Sequence, residues 1–132
     1  MTTDLSIDKQ FSVEWTHRLR CTRNAFRNNG EVSQILQELD PPQLLIVIDS
    51  GLADTNKTFL HNIESWIVEW NSVCHPLIIV KGGEEAKNDN KVVGVVLDAI
   101  NNFNMCRHSA VLAVGGGAML DAVGLATSIA HR

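Results

Sequence analysis

The sequence predicts an α/β fold, a parallel β-sheet with helices on both faces, and three observations carry that expectation. Short unbroken apolar runs recur at Leu44-Leu-Ile-Val-Ile48, Pro76-Leu-Ile-Ile-Val80 and Ala110-Val-Leu-Ala-Val114. Each stops on a turn signal: Asp49-Ser50-Gly51, Lys81-Gly82-Gly83 and Gly115-Gly116-Gly117. Between the runs the apolar period changes to that of a helix. Continuous rather than alternating apolarity marks strands covered on both faces. Strand and helix in alternation give the βαβ pattern, with right-handed crossovers.

The elements follow in chain order. Phe11, Val13 and Trp15 alternate with Ser12, Glu14 and Thr16, which predicts a half-exposed strand. The segment from His17 to Arg23 is expected to fold back on it, so that an N-terminal β-hairpin precedes the sheet. Val32, Ile35 and Leu36 mark a short helix ending near Leu39-Asp40-Pro41. Leu60, Ile63, Ile67, Trp70 and Cys74 step by three or four and share one helix face. Val92, Val93, Val96, Leu97, Ile100 and Phe103 do the same. From Ala118 to Ala130 only Asp121, Thr127 and Ser128 are polar, and a helix without a polar face is normally buried on more than one side. No linker or repeat interrupts the chain, so residues 1–132 are expected to form one domain.

Composition narrows the function. The chain has 132 residues, Lys+Arg 11 against Asp+Glu 15, and a net charge of −4. A nucleic-acid binder usually carries a basic excess, so no nucleic-acid partner is expected. No apolar run nears the roughly 18–20 residues that cross a bilayer, and the first ten residues lack the apolar stretch of a signal peptide. Cys21, Cys74 and Cys106 are widely spaced, with no C-x-x-C pair, as expected of reduced thiols in a cytoplasmic protein. His17, His61, His75, His108 and His131 show no metal-ligand spacing. Trp66 and Trp70, one turn apart, read as packing, and Cys106 as structural. Arg18, Arg20, Arg23 and Arg27 read as a solvated basic face.

In an open parallel sheet, ligands bind beyond the carboxyl ends of the strands. That rim gathers Asp49, the Gly82-Gly83-Glu84-Glu85-Ala86-Lys87 segment and the triple glycine. Gly115, Gly116 and Gly117 lie between a buried strand and a helix. Glycine admits a close ligand, and a helix N-terminus offers free N–H groups and a positive dipole end to a phosphate. A bare turn needs fewer glycines, so a phosphate-bearing ligand is favoured. The run is not the G-x-G-x-x-G fingerprint, because Leu120 stands where the last glycine belongs, and no Gly-Lys-Ser/Thr follows. Glu84 accepts ribose hydroxyls and Lys87 reaches a hydroxyl or phosphate in one reading; in the other they are solvated charges at a helix start. Asp49 before Ser-Gly also suits a plain turn.

Gly82-Gly83-Glu84-Glu85-Ala86-Lys87 and, farther on, Val114-Gly-Gly-Gly-Ala-Met-Leu-Asp121-Ala-Val-Gly124-Leu-Ala126 resemble the dehydroquinate synthase family of sugar-phosphate cyclases, whose pattern is P-G-G-E-x-x-K and then G-G-G-V-x-G-D-x-x-G-F-x-A. Ser128-Ile-Ala-His-Arg132 looks like the family's A-x-x-x-R-G segment, cut before its glycine. The resemblance implies a Rossmann-like, NAD-binding, incomplete N-terminal domain covering about a third of a family member. In the family NAD oxidises a ring hydroxyl transiently, phosphate is eliminated, and the hydride returns before an aldol step closes the carbocycle.

Carried over position by position, Asp49 would hold the adenosine-side ribose, and Glu84 and Lys87 the ribose hydroxyls and neighbouring groups. Gly116, Gly117 and Ala118 would cradle the pyrophosphate, with Gly115 leading into them, and Asp121 would stand near the nicotinamide ribose. Leu120, Ala118 and Gly51 depart from the family pattern, which bears on the substrate. The family's divalent metal, expected to be zinc, and its sugar-phosphate contacts would lie beyond residue 132. This chain alone is therefore expected to bind no metal and to be inactive.

The iron-dependent alcohol and glycerol dehydrogenases, which share this fold and carry a G-G-G-S-x-x-D turn, form one alternative. A non-catalytic nucleotide-binding or interaction module forms the other. The apolar last helix and an unpaired strand edge lead to the expectation of a homo-oligomer.

Overall fold

The three apolar runs form one parallel sheet. A computed structural model describes residues 5–70, 72–88 and 90–131, the side chains of 87 and 88 excepted. The chain runs through α1 (Glu31–Leu39), β1 (Gln43–Asp49), α2 (Ser50–Thr55), α3 (Lys57–Glu69), β2 (Val73–Cys74), β3 (Ile78–Val80), α4 (Glu84–Asn88), α5 (Lys91–Asn102), β4 (Ala110–Val114) and α6 (Gly117–Ile129).

Every strand pairs with β1. Leu44 lies opposite both Cys74 and Ala110, and Val47 opposite both Ile78 and Ala113. A strand has two edges, so β2 and β3 run in line along one side of β1 and β4 along the other. The second apolar run was expected to be a single strand from Pro76. Pro76 has no N–H to give the ladder, and pairing within the run is confined to β3; β2 precedes the run as a further short strand, after which the His75 N–H donates to the Leu44 carbonyl at 2.9 Å.

The alternation of β1 feeds two cores. Leu45 and Val47 pack with Val96 and Ile100 of α5 and Met119, Val123 and Ala126 of α6. Leu44, Ile46 and Ile48 pack with Leu36 of α1, Ala53 of α2, and Ile63 and Trp66 of α3. All five of these β1 side chains are wholly buried. The helical stripes read from the sequence are those that face the sheet. Asp40 ends α1 in the left-handed conformation (φ 45°), its N–H donating back to Leu36, and Pro41 follows.

Two expectations are corrected. Residues 5–22 contain no strand, so the N-terminal hairpin is absent among the described residues. Phe11, Val13 and Trp15 are exposed, Trp15 by 88%. A two-stranded hairpin is marginal in water without a covering layer, and no described residue buries these side chains. Arg18 reaches Glu38 of α1 at 3.4 Å instead, and the Thr22 hydroxyl donates to Glu31 at 2.8 Å. Second, Cys74 does not share the α3 stripe: α3 ends at Glu69, and Cys74 joins β2, where its backbone finds the β1 ladder. The outer face of α6, on which the expectation of a homo-oligomer rests, is uncovered among the described residues. Met119, Ala122, Val123 and Ala126 are buried, while Leu120, Leu125 and Ile129 are exposed.

Trp66 and Trp70 stack with ring centroids 5.2 Å apart, in keeping with a packing role. Trp66 Nε1 donates to Ser33 Oγ at 2.8 Å, joining α3 to α1 inside the core. A buried donor that loses its acceptor costs about 1–3 kcal/mol. Ser33→Ala is expected to destabilise the fold by that amount, read as a shift of the urea midpoint at unchanged slope. Ser33→Thr, which keeps the hydroxyl, should cost less.

Candidate functional site

The carboxyl ends of the strands meet at one rim, centred on Asp49. Asp49 is the last residue of β1 and lies in register with Val80 of β3. Val114 lies opposite Ile48, so Gly115 continues β4 beside Asp49. The carboxylate caps α2: Oδ1 accepts the Gly51 N–H at 2.8 Å. The turn role considered for this residue is thus a helix cap. Its side chain fits between two glycines. A Cβ on Gly82 would overlap the Asp49 carboxylate, and a Cβ on Gly115 would come within 2.7 Å of the Asp49 Cβ.

The triple glycine divides in two. Gly115 is needed for that close approach. Gly116 and Gly117 are exposed, have φ values open to any residue, and would meet nothing within 4 Å if given a Cβ. Gly116 is the N-cap of α6 and supplies no side-chain hydrogen bond to it. The first N–H groups of this 13-residue helix thus receive no side-chain cap from residue 116. Ala118 is half-buried in the first turn of α6, and Asp121 is exposed on the next.

Glu84 opens α4 and is exposed. Gly83 before it takes φ 69°, a left-handed value that glycine adopts without strain. Among the described residues, Glu84 and Asp121 have no ion pair or side-chain hydrogen bond; Lys81 at this rim pairs with Glu85 at 3.6 Å. Lys87 belongs to α4 by its backbone, and its side chain lies outside the described residues. The fold thus brings Asp49, Gly115, Gly116, Gly117 and Ala118 into one cluster and places the chain segments of Glu84, Lys87 and Asp121 at its border. Gly82, part of the rim segment read from the sequence but given no role of its own there, is the glycine against which the Asp49 carboxylate lies. Its signal was present, a glycine two residues past a strand end next to an Asp-ended strand, but the pairing that joins them is not local.

A separate cleft lies at the opposite, amino end of the sheet, between α1 and α3, lined by Ser33, Asp40, Glu69 and Trp70 among others. Among the described residues no three His, Cys, Asp or Glu side chains gather as metal ligands. No described helix is long and apolar enough to cross a membrane.

Cys106 differs from its expected structural role. It is exposed, and its thiol titrates below the ordinary range because the Ser109 hydroxyl, 3.5 Å away, and the backbone at His108 stabilise the thiolate. Burial pushes the Cys74 thiol up. The thiolate is the nucleophile. At a pH just below 8, Cys106 should therefore be alkylated by iodoacetamide before Cys74, and Ser109→Ala should slow it. Peptide mapping against time checks both.

Comparison with known proteins is consistent with this geometry. Residues 77–132 match the family model for 3-dehydroquinate synthase, N-terminal. A 2-epi-5-epi-valiolone synthase from an Actinomyces species is 33% identical over 94 residues, which are 70% of this chain and 23% of that protein. Among solved structures, ValA, the 2-epi-5-epi-valiolone synthase from Streptomyces hygroscopicus subsp. jinggangensis 5008 with NAD+ and Zn2+ bound, is similar with a TM-score of 0.62 and 29% identity. The match covers 79% of this chain and 27% of that one. The chain spans about a quarter of the length of these relatives.

Proposed function

We propose that this chain, a relative of the dehydroquinate synthase family of sugar-phosphate cyclases over that family's N-terminal portion, forms a single domain that supplies the NAD-binding wall of such an enzyme. The observation that carries the reading is the open start of α6: Gly116 and Gly117 have no Cβ although nothing in the chain's own packing forbids one. The space suits a pyrophosphate held by backbone N–H groups at a helix N-terminus. The solved structure of ValA contains NAD+.

The chain's residues divide the work. Gly116, Gly117 and Ala118 bind the pyrophosphate through the backbone. Asp49, with Oδ1 engaged by Gly51, offers Oδ2 to the hydroxyls of the adenosine-side ribose. Glu84 and Lys87 stand for the neighbouring hydroxyl and phosphate groups, and Asp121 for the nicotinamide ribose. NAD, when bound, supplies a reversible hydride acceptor for a hydroxyl of the sugar-phosphate substrate. The described residues offer no cluster of three His, Cys, Asp or Glu side chains, and the chain's own part in the chemistry is to hold and orient the dinucleotide. The exact sugar phosphate and a cytoplasmic location belong to the same proposal.

Two carboxylates at the rim oppose a ribose 2′-phosphate, so NAD should bind more tightly than NADP. A hydrogen bond to a charged group contributes about 1.5–3 kcal/mol, so Asp49→Asn should weaken NAD about tenfold or more and narrow the gap between the two cofactors. Calorimetric titration checks both; NADP binding as tightly as NAD to the unaltered chain would remove the assignment of Asp49.

Self-association is part of the same reading. Leu120, Leu125 and Ile129 are exposed on α6, Phe11, Val13 and Trp15 on the N-terminal segment, and β4 pairs on one edge only among the described residues. Exposed apolar surface and a free strand edge favour association. Light scattering at micromolar concentration should give a mass above 14.5 kDa, and Leu125→Lys with Ile129→Lys should lower it.

A further inference from the structure

The structure assigns Gly82 and Gly115 a positioning role: from the two strands that flank β1 they form a seat that fixes where the Asp49 carboxylate points, and with it the cofactor preference of the rim, an inference that rests on the NAD reading above.

Neither glycine is explained by backbone conformation, because among the described glycines only Gly83 has a positive φ. What each glycine admits is Asp49. At Gly82 the atoms a Cβ would overlap are the carboxylate carbon and both of its oxygens. At Gly115 they are the Asp49 Cβ, at 2.7 Å, and the end of the buried Met119 side chain, at 2.6 Å. The carboxylate thus lies over the backbone at Gly82, the Asp49 Cβ lies against Gly115, and Gly51 holds Oδ1 at 2.8 Å. Three backbone segments define one side-chain orientation.

The two positions should respond differently to alanine. The obstacle at Gly82 is the far end of a side chain, which can swing about χ1. Gly82→Ala therefore turns the carboxylate out of its seat and off the Gly51 N–H while the strands stay in place. The obstacle at Gly115 is a Cβ fixed to the strand, which cannot rotate away. Gly115→Ala therefore forces β1 and β4 apart and lowers stability whatever the side chain at 49. Gly82 accordingly sets the position of a charge, and Gly115 sets the strand spacing that makes room for it.

The test is a double-mutant cycle on the whole chain without cofactor, followed by titration. Gly82→Ala should lower the melting temperature when Asp49 is present and leave it unchanged in an Asp49→Ser background, where serine still caps α2 but carries no carboxylate. Equal losses in both backgrounds would overturn the seat. With NAD and NADP, Gly82→Ala should lose discrimination about as far as Asp49→Asn does, roughly tenfold. A Gly82→Ala chain that keeps its full preference for NAD would overturn the positioning role, because a purely structural glycine would lower stability and leave the ratio of the two affinities alone. If the unaltered chain binds neither dinucleotide, the functional reading and the cofactor preference fall together, while the cofactor-free cycle still decides whether the seat exists.

Discussion

Everything in this fold hangs on the burial of β1. Its five central side chains are removed from water on both faces, and its backbone is paired on both edges. At about 1.5–3 kcal/mol for each fully buried aliphatic side chain, this strand contributes on the order of 10 kcal/mol, comparable with the whole stability of a typical domain. No other strand has that position. β4 and the β2–β3 pair are held in the sheet through β1, and the helices are sorted by it: α1 to α3 on the face of Leu44, Ile46 and Ile48, and α4 to α6 on the face of Leu45 and Val47.

That position also decides where chemistry can occur. A strand buried on both faces presents polar groups to solvent only where it ends, and β1 ends at Asp49. The chain passes from β1 to β3 on one side and then crosses to β4 on the other. The reversal leaves a gap at the carboxyl ends, between the start of α2 and the start of α6. Asp49 ends β1 there, and Gly115, which leads into α6, lies beside it, with Gly82 and Gly115 allowing close backbone approach. The same reversal places the β4 edge and the outer face of α6 at the sheet's border, which is why Leu120, Leu125 and Ile129 remain exposed although their helix is almost wholly apolar.

The glycines at this rim serve three physical needs. Gly83 provides a left-handed turn into α4. Gly82 and Gly115 provide room beside Asp49, and Gly116 and Gly117 leave the front of α6 clear. A run of three identical residues thus spans a boundary between what the fold requires and what it leaves open. It falls between Gly115, against which Met119 and Asp49 pack, and Gly116, which faces open space.

The sequence by itself determined the local parts. Unbroken runs of branched residues located the strands, the 3.6 period located the helix faces, and the turn signals located the rim on which Asp49, Glu84 and the triple glycine stand. These depend on neighbours a few residues apart, and a sequence records such neighbours directly. Long-range pairing settles which edge of β1 each strand takes, that the run from Pro76 pairs only over Ile78–Val80, that Cys74 leaves the helix for the ladder, and that the alternating Phe11–Trp15 segment forms no hairpin among the described residues. It alone joins Asp49 to Gly82 and Gly115, residues more than thirty positions apart at or just past the ends of three strands. Periodicity reports whether a face is covered, but not by what. Register and pairing are set by long-range hydrogen bonds and shared burial, so the seat of a single carboxylate exists only once three distant strand ends have been brought side by side.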